Sequence, residues 1–571
     1  MAERDVGALS GTGARVRALG RRLSTLPSVL PILVFLGLFS LAPLVVLLTY
    51  SLAHLGGASG LWGVLWGPGE AAMLARRALA NSFEQGFLSA GLALLWGFPA
   101  GVYLGLRSTP WKLRIRGFLV LPFLLPSLVM VFGVFSLFGA TGLLGGPFPG
   151  FRPLSTGLAG ILWVNVLYNA PIIALYTAAA LEGVPRHLEE AARLLGASPV
   201  SVFRTVWLRP AILGAFLGAV LTFILSFLGF APPLLIGGPA YYTLEDWIYA
   251  LDKMVGFQGP AMAAGIAVWG VAIMALPMAI YMLLLRDTNL LGRGPGTTSP
   301  PLRSERRPTL GSVALGGVTG ALLISEAALL ASVVLLSVTS ATGGFSGAYW
   351  TALGSSRVSG ALQVSVGLTV FNTLFFALVS AAVVFALALP LYSSDERGSR
   401  WWGGFSFLPL LISPVILALG LELAWGGLLG SPSLVWVLIV VSQASIALPL
   451  ALQGLGLSFR SLPPSLAGAA RTLGASRFRA FSDVRLPLAR PGVQAALLLT
   501  LAVGLGEFAA TNFLFIPRFT TLTVMIYLLQ DLRMPGPSLA VAALLVLVSV
   551  VLFSVFSMMQ RAPRARSEVP P

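Results

Sequence analysis

The chain has 571 residues, 57% hydrophobic and only 10% charged, and it contains no cysteine. Soluble domains carry about 25% charged residues, so a string of them is excluded. The missing cysteine also rules out a disulfide scaffold, a thiolate metal site, an iron–sulfur cluster and a cysteine nucleophile. The formal charge of +16 would point a soluble protein towards nucleic acid, so its placement along the chain has to be read first.

A basic stretch, Arg15 to Arg22, precedes the first apolar run. The layout resembles a secretory signal. The run is nevertheless about as long as a full transmembrane helix, and we read it as an uncleaved anchor. Further apolar runs recur, each able to satisfy its backbone groups within a helix that crosses a bilayer. They fall near 29–50, 83–105, 117–139, 157–182, 211–236 and 260–285, then near 311–338, 361–392, 403–425, 433–456, 491–515 and 537–560. The expectation is an all-α polytopic membrane protein with about 12 transmembrane helices.

With the N-terminus inside, the inner segments are 1–28, 106–116, 183–210, 286–310, 393–402, 457–490 and 561–571, and they hold 29 of the 36 Lys and Arg. Retention of basic residues on the cytoplasmic side gives this asymmetry. Both termini are therefore expected in the cytoplasm of a plasma (inner) membrane protein. The net charge records insertion into a lipid bilayer, and no nucleic-acid partner is needed. Only two lysines exist, Lys112 and Lys253, followed by Leu113 and Met254. A Walker A loop needs Lys followed by Ser or Thr after a Gly-rich turn. Hydrolysis of ATP by this chain through that chemistry is not expected.

Segment 286–310 is rich in Gly, Pro, Ser and Arg and reads as a linker between two halves, 29–285 and 311–560. The tail is 561–571. An offset of 278 carries Pro171 onto Pro449, Pro185 onto Pro463, Gly196 onto Gly474, Phe203 onto Phe481, Phe230 onto Phe508, Thr243 onto Thr521 and Tyr249 onto Tyr527. Asn81 and Pro99 match Asn372 and Pro390 at an offset of 291. An even number of spans per half makes this a parallel repeat, with its pseudo-twofold axis along the membrane normal and a pathway between the halves.

The inner loops 185–210 and 463–491 correspond. In the first, Pro185 opens a short helix that Gly196 ends, and Ser198 caps a second with Pro199 at its first position. Phe203 and Val206 share a face of that second helix, and Arg209 and Pro210 end the unit. The second copy repeats this with Gly474, Ser476, Phe481, Val484 and Pro487. A helix–glycine–helix elbow offers a soluble partner a grip and can pass force to two spans. A loop packing on its own bundle would look the same in one copy; two copies in equivalent places favour the elbow.

These loops resemble the EAA motif of the permease subunits of binding-protein-dependent ABC importers: Glu-Ala-Ala, three residues, Gly, nine residues, Ile-x-Leu-Pro. Glu190, Ala191, Ala192, Gly196, Val206 and Leu208 fit in the first copy, with Arg209 in the Pro position. Ala469, Ala470, Gly474, Val484, Leu486 and Pro487 fit in the second, with Gly468 in place of Glu. Each half resembles one type I (MetI-like) permease domain, and the fused pair is similar to the permeases for iron(III) and thiamine. The resemblance implies ATP-driven import, with two copies of a separate ATPase under the elbows and an extracytoplasmic protein delivering cargo. Glu190, Ala191, Ala192, Gly196, Phe203 and Leu208, with Ala469, Ala470, Gly474, Phe481, Leu486 and Pro487, would make the ATPase contact.

A carboxylate inside an apolar run is costly and by default marks a function. Glu507 lies before Phe508, which matches Phe230, and these three are the pathway candidates; Glu507 either lines the pathway or makes a structural hydrogen bond. Glu84 and Glu422 are expected near span ends, in solvent, and Glu326 protonated or paired. The outer stretches after spans five and eleven are read as short re-entrant or surface helices under the delivery protein or as a structural cap. His54 and His187 make no metal constellation, and no bound cofactor is expected. An ion-coupled secondary transporter is the alternative class; it would be expected to carry more mid-span carboxylates and has no use for paired elbows. A pathway without Cys or His suits no soft metal. Iron(III) is the first expectation for cargo, mainly because the fused layout resembles its permeases, and carboxylates such as Glu507 could pass a hard cation without holding it; thiamine, a cationic aromatic ring, is close behind.

Overall fold

The computed structural model describes residues 28–107, 111–254, 258–287, 310–339, 344–393, 409 and 411–560. Outside the described residues lie nearly all of the N-terminal segment, most of the linker, the tail and the start of the ninth predicted span. Within them, nine helices are long and apolar enough to cross a bilayer, or 11 if each of two bent pairs counts as one span. No strand is formed there beyond an isolated bridge between Thr339 and Phe345.

The first half runs through spans Ser28–His54, Glu70–Leu106, a third span broken into Lys112–Leu124 and Ser127–Phe138, then Gly157–Glu182, Val200–Phe227 and Gln258–Asp287. The second repeats it with Leu310–Ser337, Val366–Ser393, the helix Pro414–Leu429 in the ninth position, Val435–Arg460, Arg490–Gly506 and Pro535–Gln560.

Four spans depart from the boundaries expected. The second begins at Glu70, not near 83, because Arg76 does not end the helix. Its Nη1 donates to the carbonyls of Leu65, 2.9 Å, and Gly67, 2.8 Å, in and just after the short helix Ala58–Trp66. The third span bends by 94°. Pro126 has no N–H and holds Leu125 in extended backbone, φ −89° and ψ 149°. The fifth and eleventh stop at Phe227 and Gly506, about nine residues short of expectation, although the sequence stays apolar. Short irregular pieces follow each, and buried hydrogen bonds satisfy their backbone.

Within each half the second, fourth and fifth spans pack together, as do the eighth, tenth and eleventh. Small residues set the approach in the first bundle: a Cβ placed on Gly101 would stand 2.5 Å from the Cβ of Thr177. The first span of each half leaves its own bundle and crosses the third-position span of the other. Span one lies on Pro414–Leu429, where the Trp425 indole N–H donates to the Leu38 carbonyl at 3.0 Å. Span seven lies on Ser127–Phe138, where the Ser332 hydroxyl reaches the Gly133 carbonyl at 3.4 Å. Each crossing sits on a glycine. A Cβ on Gly420 would fall 2.9 Å from Pro43 Cβ, and one on Gly133 would fall 3.0 Å from Leu329 Cβ.

Glu326, one turn before Leu329 on span seven, is fully buried, and neither carboxylate oxygen has a hydrogen-bond partner among the described residues. A buried polar group left unsatisfied costs about 1–3 kcal/mol. Glu326→Leu should therefore raise the thermal unfolding midpoint of the purified protein. A lowered midpoint would mean that the carboxylate is holding something.

Candidate functional site

The two elbows have the same backbone. In the first, helix Arg186–Leu194 ends on Gly196 at φ +81°; the Ala197 N–H reaches the Ala192 carbonyl and the Gly196 N–H the Arg193 carbonyl, both at 3.0 Å. In the second, helix Pro464–Thr472 ends on Gly474 at φ +90°, and Ala475 and Gly474 repeat both bonds to Ala470 and Arg471 at the same 3.0 Å. This paired closure needs a left-handed residue, which glycine adopts without a Cβ clash. The next helix is capped identically: Ser198 Oγ accepts from the Ser201 N–H and Ser476 Oγ from the Arg479 N–H, each at 3.2 Å.

One expectation fails here. Arg209 and Pro210 do not end the first unit. A π-helical turn, Phe203–Trp207, carries its second helix straight into span five. In the second copy the join is a real bend, 78°, between Arg477–Leu488 and Arg490–Gly506, where Ser458 Oγ donates to the Ala489 carbonyl at 3.1 Å.

Of the residues singled out in sequence, Glu190, Ala191, Gly196, Ala469, Gly474 and Pro487 are exposed, and Ala192, Phe203, Leu208, Ala470 and Leu486 half-buried. Phe481 is buried and stacks on Phe459 of span ten, centroids 5.7 Å apart. The adjacent Glu189 is taken by Arg193 at 2.7 Å. Sequence reasoning passed over the most conspicuous side chains of the elbows. Leu195 and Leu473, equivalent at the offset of 278, are each 88% exposed, and the next equivalent pair, Val200 and Phe478, is also largely bare. The available signal was an apolar residue beside each turn glycine in a stretch otherwise rich in polar residues. An open groove bounded by Gly468, Arg471, Thr472, Gly474, Ala475 and Ser476 lies beside the second turn.

At the other end of spans five and eleven the halves meet. Phe230 and Phe508 stack with centroids 5.7 Å apart and planes 28° from parallel. Each touches the tyrosine of its own half, Tyr249 at 5.4 Å and Tyr527 at 5.6 Å. The tyrosines sit on short helices, Leu244–Asp252 and Leu522–Asp531. Both helices are tied down alike. Ser82 Oγ accepts from the Leu244 N–H, and Thr373 Oγ1 from the Leu522 N–H, at 2.8 Å each. Asn81 and Asn372 side-chain amides donate to the Tyr242 and Thr520 carbonyls at 2.8 and 3.0 Å.

Glu507 is buried and caps the turn after span eleven: its carboxylate accepts from the N–H groups of Ala510, 2.7 Å, and Thr511, 2.8 Å, and from the Thr511 hydroxyl. Glu245 and Asp246, which sequence reasoning did not single out, are fully buried in the short helix after span five. Glu245 Oε2 accepts from Ser413 of the other half at 2.5 Å, and Asp246 closes a capping box on Thr243. Burial pushes the Glu245 carboxyl up to about 8 and Asp246 up to about 7, against the opposing pull of those hydroxyls. Glu84 and Glu422 lie on exposed helix surface, Glu84 accepting from the Tyr241 hydroxyl at 3.1 Å. Among the described residues no group of three or more His, Cys, Asp or Glu is placed to hold a metal ion.

The sequence pattern of the family described as binding-protein-dependent transport system inner membrane component matches residues 97–288 and again 381–565. The chain belongs to that family. This permease, an ABC importer subunit rather than an enzyme, is 26% identical to the thiamine transport system permease protein ThiP of Salmonella typhimurium over 533 residues, covering 89% of the chain and 92% of the relative. It is 27% identical to ThiP of Escherichia coli over 83% of the chain and 87% of the relative. The molybdenum transport system permease protein ModB of Haemophilus influenzae matches 26% of the permease, at 34% identity. Iron(III), the first expectation for cargo, finds no support among these relatives, and nothing in them favours an ion-coupled transporter.

Proposed function

We propose that the permease carries thiamine inward across the inner membrane, with both termini in the cytoplasm and two copies of a separate ATPase seated on its elbows. The observation that supports this most is the likeness, over most of both chains, to permeases named for thiamine transport. An extracytoplasmic binding protein would deliver the vitamin on the opposite side.

The elbow residues then have definite parts. Glu190, Ala191 and Gly196, with Ala469 and Gly474, present the short helices; Leu195 and Leu473 enter apolar pockets of the ATPases; Phe203 and Phe481 pass the movement to the bundle. The second elbow, with Gly468 where the first has Glu190, grips through its apolar residues alone. Iron(III) fits poorly beside this, since the described residues offer a hard cation no carboxylate cluster.

The assembled transporter in vesicles, with its ATPase and binding protein, should accumulate labelled thiamine only when ATP is supplied. ATP-dependent accumulation of ferric iron with no thiamine uptake would overturn the cargo and leave the importer intact.

A further inference from the structure

A residue that touches its own pseudo-symmetry mate must lie on the axis relating the two. Phe230 and Phe508 are mates, and so are Tyr249 and Tyr527. The first pair stacks at 5.7 Å, which puts each ring centre within half that distance of the axis. Each phenylalanine also rests on the tyrosine of its own half. The four rings form a continuous row across the seam, and a pathway running along that axis between parallel repeats is blocked where they meet. They stand at the far end of spans five and eleven from the elbows, so the block is on the side where cargo arrives.

A half-exposed cation lies beside one of these rings and a neighbouring aromatic. Lys253 Nζ, carried by the first half, sits 4.5 Å from the centre of Phe513 in the second half and 5.8 Å from that of Tyr249. Its charge is balanced by Asp252 at 3.1 Å. An ammonium over an aromatic face is held by the ring quadrupole, most strongly where water is excluded.

We infer that Phe230, Tyr249, Phe508 and Tyr527 are the outer gate of the pathway and that, once parted, their faces select a flat organic cation. The inference rests on the importer reading above, and its cation arm on thiamine being the cargo. Opening needs no unfolding: the helices carrying the tyrosines are pinned to spans two and eight by Ser82 and Thr373 and move with them. Each half takes two of the four rings with it. Between the parted faces a planar cation finds aromatic surface on both sides, whereas a hydrated metal ion finds only two tyrosine hydroxyls to replace its water shell.

The cysteine-free chain allows a direct test in the complete transporter. With Phe230→Cys and Phe508→Cys as the only thiols, the shortest bis-methanethiosulfonate reagent should join them in high yield at rest. Joining should stop the residual uptake that this pair supports without its π faces, and a reductant should bring uptake back to that residual level. Trapping the complex with ATP and vanadate should lower the yield several-fold. Equal yields in both states, or uptake unchanged by joining, would overturn the gate.

The selectivity arm is read separately. Phe230→Leu with Phe508→Leu keeps apolar bulk but loses both π faces, and thiamine uptake should fall about tenfold, the worth of a desolvated cation–π contact. Phe→Tyr at both positions should restore it. Leucine variants with wild-type rates would sink the cation arm. A nucleotide-sensitive cross-link in a complex that moves some other solute would keep the gate and discard thiamine.

Discussion

Gly196→Val together with Gly474→Val should leave a transporter that inserts, binds its cargo-loaded delivery protein and does not transport. Both glycines hold φ near +85°, where a β-branched side chain meets its own backbone. Holding one residue in such a region costs of order 1–3 kcal/mol, so each turn would relax to another conformation. Neither position has a neighbour within 4 Å of a built Cβ. The damage is therefore to the backbone, and Gly→Ala should be visibly milder than Gly→Val. The fourth and tenth spans end before the turns and keep their packing, which is why the bundle survives. The measurement is ATP hydrolysis in vesicles beside uptake: uptake should drop at least about tenfold, and stimulation of the ATPase by the loaded binding protein should disappear. Normal uptake in the double variant would strip the elbows of their mechanical part.

Leu195→Asp with Leu473→Asp is expected to detach the ATPase altogether. A leucine moved from water into an apolar pocket gains about 1.5–3 kcal/mol. These two start 88% exposed, so nearly all of that gain remains to be realised in the complex. Each leucine is worth about 2 kcal/mol, and at about 1.4 kcal/mol per decade each of the two ATPases should bind roughly thirtyfold more weakly. A carboxylate in the same pocket adds its own desolvation cost. Co-purification of the ATPase with the detergent-solubilised permease reads this directly. Because the elbows carry no transmembrane packing at these positions, the variant's thermal midpoint should not move. An ATPase that still co-purifies would place the contact elsewhere on this face.

The repeat and most spans were legible because a bilayer demands long apolar helices, and because equivalent residues kept equivalent spacing. The elbow turns were legible for a different reason: only glycine tolerates the conformation they need. What escaped was wherever apolar sequence continues past the end of a helix. Nothing in residues 228–236 or 507–515 announces a break by hydropathy. The break is sustained by Gln85 donating to the Ser226 carbonyl, by Thr523 donating to the Glu507 carbonyl, and by Glu507 capping its own turn. Phe230 and Phe508 could be matched in sequence, but that they touch depends on how the two halves dock. Glu245 and Asp246 were not singled out in the sequence, and only packing against Ser413 of the other half reveals them as interior. The exposed leucines were overlooked because an apolar residue beside a turn glycine reads as ordinary helix-end packing, and only the structure shows it bare.

Joining the halves in one polypeptide releases them from identity. In a pore built from two copies of one gene product, every residue near the axis appears twice, and a buried acid there confronts its twin. Here Glu245 and Asp246 face Thr523 and Val524 as their equivalents, Glu507 faces Gly229, and Lys253 faces Asp531. Charge around the seam has been set one group at a time, with opposite signs at one matched position. A cargo carrying a single charge off its centre has no twofold symmetry of its own, and only a lopsided pore can meet it in one preferred orientation.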